Sequence, residues 1–171
     1  MNVLRYLRPE CVRLNLETQA TPAAEDESPA QRANRQKSDK ERVIEEVAEI
    51  LDASGRIANR SKFLRDLVQR ERNASTALAP GIAIPHVRTL QVREFIMGLA
   101  RASGDGVPFG SADGEPTRLF FLLAAPPYDD RIYLQVYREL AELIQREEII
   151  DRLLAAREVQ DVFNALREVW R

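Results

Sequence analysis

Two apolar runs, FIMGLA at 95–100 and LFFLLAA at 119–125, stand out from a chain whose apolar and polar residues otherwise interleave. Both have strand length and neither alternates, which is the pattern of strands covered on both faces. Around them apolar residues recur at helical spacing. Val43, Ile44, Val47, Ile50 and Leu51 predict a helix, opened by an S-x-x-E capping box at Ser38 and Glu41 and stopped at Gly55. Phe63, Leu64, Leu67 and Val68 predict a second, over about 61–71. The last third carries three more stripes: Tyr133 to Ile144, Ile149 to Leu154 and Val159 to Val169. VRLNL at 12–16 alternates as a half-buried strand does, and DGEP at 113–116 is turn chemistry. Buried strands mixed with helices in this way predict an α/β fold, a single three-layer domain.

One stretch breaks the pattern. ETQATPAAEDESPAQRANRQKSD, 17–39, has two prolines, many charges and no aromatic or large aliphatic residue. Such a segment buries too little apolar surface to offset its ordering entropy. The chain is therefore expected to divide into an N-terminal strand region at 1–17, a mobile insertion at 18–38, and the main body of the domain at 39–171. The basic residues Arg32, Arg35, Lys37, Lys40 and Arg42 could touch a phosphate backbone, but Glu25, Asp26 and Glu27 close by favour a solvated linker.

Composition changes the picture mainly by exclusion. A net charge of -2 and a pI near 5.6 give no pull towards nucleic acid or anionic membrane. No apolar run could span a bilayer, and MNVLRYLRPE lacks a secretion signal, so no membrane insertion is expected. A single cysteine, Cys11, fits an intracellular setting, and the expected location is cytoplasmic. One histidine and one cysteine argue against a zinc site, and no metal is expected. No P-loop, dinucleotide fingerprint or G-x-S-x-G is present, and no cofactor is expected.

The candidate chemistry sits in PGIAIPH, 80–86, which ends in the only histidine. Ile82, Ala83 and Ile84 make a very short strand that Pro85 stops, leaving His86 at the strand's end on the rim of the sheet. An imidazole there has a nucleophilic nitrogen and a pKa near neutrality. Arg70 and Arg88 bracket it in sequence and suit phosphate oxygens, while Ser75 and Thr76 could add hydroxyl donors. A nucleophilic ring among phosphate-binding donors is what a phosphohistidine needs.

With Arg70 and Glu71 upstream, RE-x3-ST-x4-GIAIPH resembles the phosphorylation-site motif of the enzyme IIA domain of the bacterial phosphotransferase system, in its fructose/mannitol and nitrogen-regulatory class. The resemblance runs from about Val12 to the C-terminus and includes LLAAP at 122–126; the 18–38 segment has no obvious counterpart in it. It implies a mixed sheet flanked by helices with the active histidine at its edge. It implies that His86 accepts a phosphoryl group from a phosphohistidine carrier, HPr or its nitrogen-branch relative, and that Arg70 lies beside it. Sugar-specific members pass the group to a cysteine of enzyme IIB; nitrogen-type members regulate other proteins according to their phosphorylation state. Three departures from the pattern stand out. Thr76-Ala77-Leu78-Ala79-Pro80-Gly81 stands for T-G-I-G-N-G, Val87 replaces a glycine, and Tyr133 occupies the place of a second histidine.

The length of the chain and its lack of a cysteine-bearing IIB segment favour a nitrogen-regulatory carrier. The alternatives are a sugar-specific subunit and a binding module that keeps the fold without the chemistry. Carrier function predicts a solvent-accessible His86 with Arg70 at phosphate-bridging distance; a buried His86 favours the binding module.

Overall fold

A computed structural model describes residues 2–78 and 80–171. After a single 3-10 turn at Val3–Tyr6 come β1 (Leu7–Arg13), α1 (Pro29–Asp52) and α2 (Arg60–Asn73). The short strands β2 (Ala77–Leu78), β3 (Ile82–Ala83) and β4 (His86–Arg88) follow, then β5 (Ile96–Arg101) and β6 (Leu119–Ala125). Three helices close the chain: α3 (Asp130–Ile144), α4 (Glu147–Ala155) and α5 (Val159–Arg167).

The strands form one mixed sheet in the order β1-β5-β6-β3-β2, with β4 also paired to β6. β1 and β5 are parallel, as are β3 and β4 to β6, while β5–β6 and β2–β3 are antiparallel. β6 is buried along its whole length, which accounts for the apolar run LFFLLAA. Its residues alternate between two cores. Leu119, Phe121, Leu123 and Ala125 pack with α3, α4 and α5. Phe120, Leu122 and Ala124 pack with α1 and α2. The expected three-layer α/β domain with a mixed sheet is what the chain forms.

Two expectations are corrected. The N-terminal strand is β1, seven residues from Leu7, rather than 12–16: Arg8, Glu10 and Arg13 interrupt its apolar pattern, and β5 supplies the pairing. The 18–38 segment is also more ordered than its composition suggests. α1 begins at Pro29, ten residues before the expected start, and its cap is Ser28 rather than Ser38. Ser28 Oγ accepts from Gln31 N at 3.1 Å, and Gln31 Oε1 accepts from Ser28 N at 2.9 Å, with Pro29 in the favoured first position. The preceding strand of chain is strapped onto α1 by buried carboxylates. Asp39 accepts from Thr21 N and Oγ1 at 2.9 and 2.6 Å. Glu46 accepts from the main-chain N–H groups of Glu17 and Thr18 at 2.9 and 2.8 Å. Hydrogen bonds to charged groups here do what apolar burial does elsewhere.

The turns behave as read. Gly114 in DGEP has φ +73° and Asp113 Oδ1 accepts from Glu115 N at 3.0 Å. Of the alanine-for-glycine changes before the histidine, Ala77 is accommodated in a hairpin, opposite Ala83 and next to the Leu78–Ile82 pair, with a positive φ at Gly81. Ala79 lies outside the described residues.

Candidate active site

Pro85 does not end the strand; it interrupts it. β3 and β4 run along β6 in one register, Ala83 opposite Phe120 and His86 opposite Leu123. His86 therefore opens β4 instead of ending β3. Among the described residues β4 has no strand on its outer side, so the histidine still lies at the rim of the sheet. Alternation sends Val87 into the α1–α2 core, away from the ring.

The two imidazole nitrogens are distinguished by their partners. Nδ1 stands 2.5 Å from the Ile84 carbonyl oxygen, which can only accept, so Nδ1 carries the proton. Nε2 is then the lone-pair nitrogen, and Arg70 Nη2 donates to it at 3.3 Å. Burial lowers the pKa of His86, the Ile84 hydrogen bond opposes this, and the Arg70 charge lowers it again. A neutral ring with a free Nε2 is the nucleophilic form.

His86 is only 4% exposed, against the expectation of an accessible ring. Tyr133 and Tyr137 cover it, with ring centroids 5.8 and 5.6 Å from the imidazole. The ring nevertheless forms part of the wall of an open cleft of about 700 Å³, which also takes in Arg65, Gln69, Arg70, Asn73, Arg88 and Tyr133. Arg70 lies beside the ring, its Nη2 3.3 Å from Nε2. Tyr133 is half-buried and burial pushes its phenol pKa up, so it stays a neutral hydroxyl.

The other expected residues are placed unequally. Arg88 reaches the cleft, its guanidinium 5.2 Å from the Tyr133 ring centroid, donating to Pro127 O at 2.6 Å and paired with Asp130. Ser75 and Thr76 do not line the cleft. Ser75 Oγ donates to Phe109 O at 3.0 Å, and Thr76 Oγ1 donates to Glu71 at 2.8 Å. The sequence reading did not foresee the role of Glu71, which binds Thr76 N at 2.8 Å and Lys40 Nζ at 3.0 Å. Its signal was its place on α2, two residues before the helix ends at Asn73 and directly after Arg70. Tyr137 was read only as part of an apolar stripe. Among the described residues no cluster of three or more histidine, cysteine or acidic side chains could hold a metal ion, and no helix is long and apolar enough to cross a membrane.

The sequence profile of the phosphoenolpyruvate-dependent sugar phosphotransferase system EIIA 2 family matches residues 30–169. The chain belongs to that family. The match opens inside the segment read as an insertion, so most of α1 is part of the family's domain. The chain is 33% identical over 135 residues to the PTS system fructose-specific EIIABC component of Bacillus subtilis (strain 168), covering 79% of this chain and 21% of that protein. It thus spans about a fifth of that relative. It is also 33% identical over 129 residues to a nitrogen regulatory protein of Bradyrhizobium diazoefficiens, covering 75% of this chain and 82% of that one. The crystal structure of nitrogen regulatory protein IIA-Ntr from Neisseria meningitidis shares the fold, with a TM-score of 0.77 at 23% identity over 97% of this chain and 99% of that one.

Proposed function

We propose that His86 accepts a phosphoryl group on Nε2 from a phosphohistidine carrier protein, HPr or its nitrogen-branch relative, and that the chain works as an enzyme IIA-type carrier of the nitrogen-regulatory kind. The observation that carries this reading is the division of labour on the ring: a carbonyl at 2.5 Å on Nδ1 and a guanidinium at 3.3 Å on Nε2. The first leaves Nε2 with its lone pair, and the second puts a cation where phosphoryl oxygens would arrive.

In the transfer, the Nε2 lone pair attacks phosphorus and forms the new N–P bond. The donor's N–P bond breaks, and its electron pair returns to the donor imidazole. The proton stays on Nδ1, hydrogen-bonded to the Ile84 carbonyl, and the ring takes up the positive charge that the donor imidazole gives up. Arg70 moves from the nitrogen to the phosphoryl oxygens, and Arg88 contributes a second positive charge from the other side of Tyr133. Ser75 and Thr76 support the loop, since their hydroxyls are engaged within the protein. The relatedness to a nitrogen regulatory protein supports a regulatory output through partner proteins. The relatedness to a fructose-specific component supports the alternative, delivery to an enzyme IIB cysteine.

A second reading has its own observation. The covering of His86 by Tyr133 and Tyr137 favours a module that binds a partner without being phosphorylated. Intact mass measured after incubation with phosphoenolpyruvate, enzyme I and either carrier separates the two. An acid-labile phosphoryl adduct on the wild type and none on His86→Ala is the result expected. No adduct with either carrier would reject the acceptor reading in favour of the binding module.

A further inference from the structure

The Ile84 carbonyl that holds His86 is itself held from a distance. Ile84 N donates to Thr76 O at 3.0 Å, so both main-chain polar groups of Ile84 are engaged, one on Thr76 and one on His86. Thr76 is 5% exposed and clamped twice by Glu71, through its N–H at 2.8 Å and its hydroxyl at 2.8 Å. Glu71 is a buried carboxylate on α2, which costs free energy unless it is paired and hydrogen-bonded. Its cation is Lys40, from the middle of α1, with Nζ at 3.0 Å. The ammonium is fixed in turn by Ser75 Oγ at 3.2 Å and by the Phe109 ring, whose centroid lies 4.6 Å away.

We infer that Glu71 and Lys40 are positioning residues for the phosphoryl-acceptor histidine: through Thr76 and Ile84 they fix the carbonyl that keeps the proton on His86 Nδ1 and leaves Nε2 bare. The inference rests on the acceptor reading for its functional meaning, but the tautomer it describes exists in the unphosphorylated protein. Neither residue touches the ring or the cleft wall. Beside the charge of Glu71, which works against the lowered pKa of His86, their contribution is to the direction of one carbonyl, and a histidine's reactive nitrogen is set by the hydrogen bond that the other nitrogen makes. If the clamp on Thr76 goes, Thr76 O no longer holds Ile84 N in place, and the carbonyl two residues before the ring is free to turn. The arrangement ties α1, which contributes no residue to the cleft, to the nucleophile by way of the C-terminal end of α2, where Glu71 meets Lys40 and the adjacent Arg70 meets His86.

Because the chain has one histidine, selective 15N-histidine labelling reads this directly. In the wild type a single tautomer is expected, Nδ1 protonated and Nε2 not, with an Nδ1–H proton slow to exchange with water. Glu71→Ala should give a mixture of tautomers with the Nδ1–H signal lost, and a transfer rate lower by roughly tenfold or more. Glu71→Gln keeps an oxygen for Thr76 N and should restore most of the wild-type spectrum, a rescue that a general loss of stability would not produce. Should Glu71→Ala fail to fold, Lys40→Met decides, since it removes the cation and leaves Glu71 on Thr76; it should show a partial mixture. A single Nδ1-protonated tautomer in both Lys40→Met and Glu71→Ala overturns the inference, whatever happens to the rate. Tautomers that shift as expected in a protein that accepts no phosphoryl group, wild type included, would reject the acceptor reading and leave the positioning role standing.

Discussion

Arg70 donates from Nη2 to Nε2 of His86 across 3.3 Å, on the nitrogen that the Ile84 carbonyl does not engage. A guanidinium has donors only, so the contact is compatible with a neutral ring whose lone pair faces the cleft. The same arginine donates to Ala74 O at 3.0 Å, which anchors it to the end of α2.

Replacing Arg70 removes the donor on Nε2, the nitrogen that the proposed transfer would use. Arg70→Ala is expected to slow phosphoryl transfer to His86 by about 10²–10³-fold, the usual cost of losing one preorganised donor. Arg70→Lys should recover part of this, since an ammonium supplies the charge but cannot reach Ala74 O and the phosphoryl group together in the fork geometry. Single-turnover transfer from the phosphorylated carrier measures both.

Burial, reinforced by the Arg70 charge and opposed by the Ile84 hydrogen bond and Glu71, holds the pKa of His86 below its ordinary value. An NMR titration of the labelled ring should therefore give a midpoint below 6.5. In the window between that midpoint and 6.5 the unfolded chain binds the proton and the folded chain does not, so stability falls as pH drops through it and is fully present above it. His86→Gln should remove this part of the pH dependence. Urea midpoints that run parallel for wild type and variant from pH 7 to 5 would contradict it.

The strap over α1 rests on Asp39, whose carboxylate is fully buried. Burial pushes its pKa up, but Thr21 and Arg42 outweigh that and hold it below the ordinary value. Asp39→Ala strands the Thr21 N–H and hydroxyl and should cost roughly 1–3 kcal/mol in urea unfolding. Ser28→Ala, which removes only the cap, should cost about 1 kcal/mol.

At Gly98 the sheet leaves no room for a side chain. An added Cβ would lie 2.7 Å from the Cys11 carbonyl oxygen and 3.3 Å from Leu122 Cδ1. Gly98→Ala must push β1 from β5 and should cost roughly 1–3 kcal/mol. Cys11 reports the change: burial pushes its thiol pKa up to about 12, so it should react with a thiol reagent only as the structure opens. Faster labelling of Gly98→Ala than of wild type is the expected result.

Much of this was legible along the chain because the patterns were periodic and local. LFFLLAA had to be covered on both faces, and the last three helices each carried a stripe for the sheet to cover. PGIAIPH, with Arg70 and Glu71 upstream, pointed to His86 and its arginine. What escaped was order that depends on distant partners. The start of α1 is polar, and composition alone reads it as mobile. Ser28 and Gln31 cap it locally, but Asp39 and Glu46 hold the strap by charge-assisted bonds to residues 18 to 29 positions away in sequence.

By itself the sequence determined the layers, the buried central strand, and a histidine beside an arginine. Only the tertiary structure decided that Pro85 interrupts a strand without ending it, that Tyr133 and Tyr137 close over the ring, and that Ser75 and Thr76 serve the loop rather than the cleft. It also decided which nitrogen of His86 is bare. The reason is physical: periodic burial is written into neighbouring residues, whereas the direction of a carbonyl or a guanidinium depends on which groups the fold brings within 3 Å or so of it.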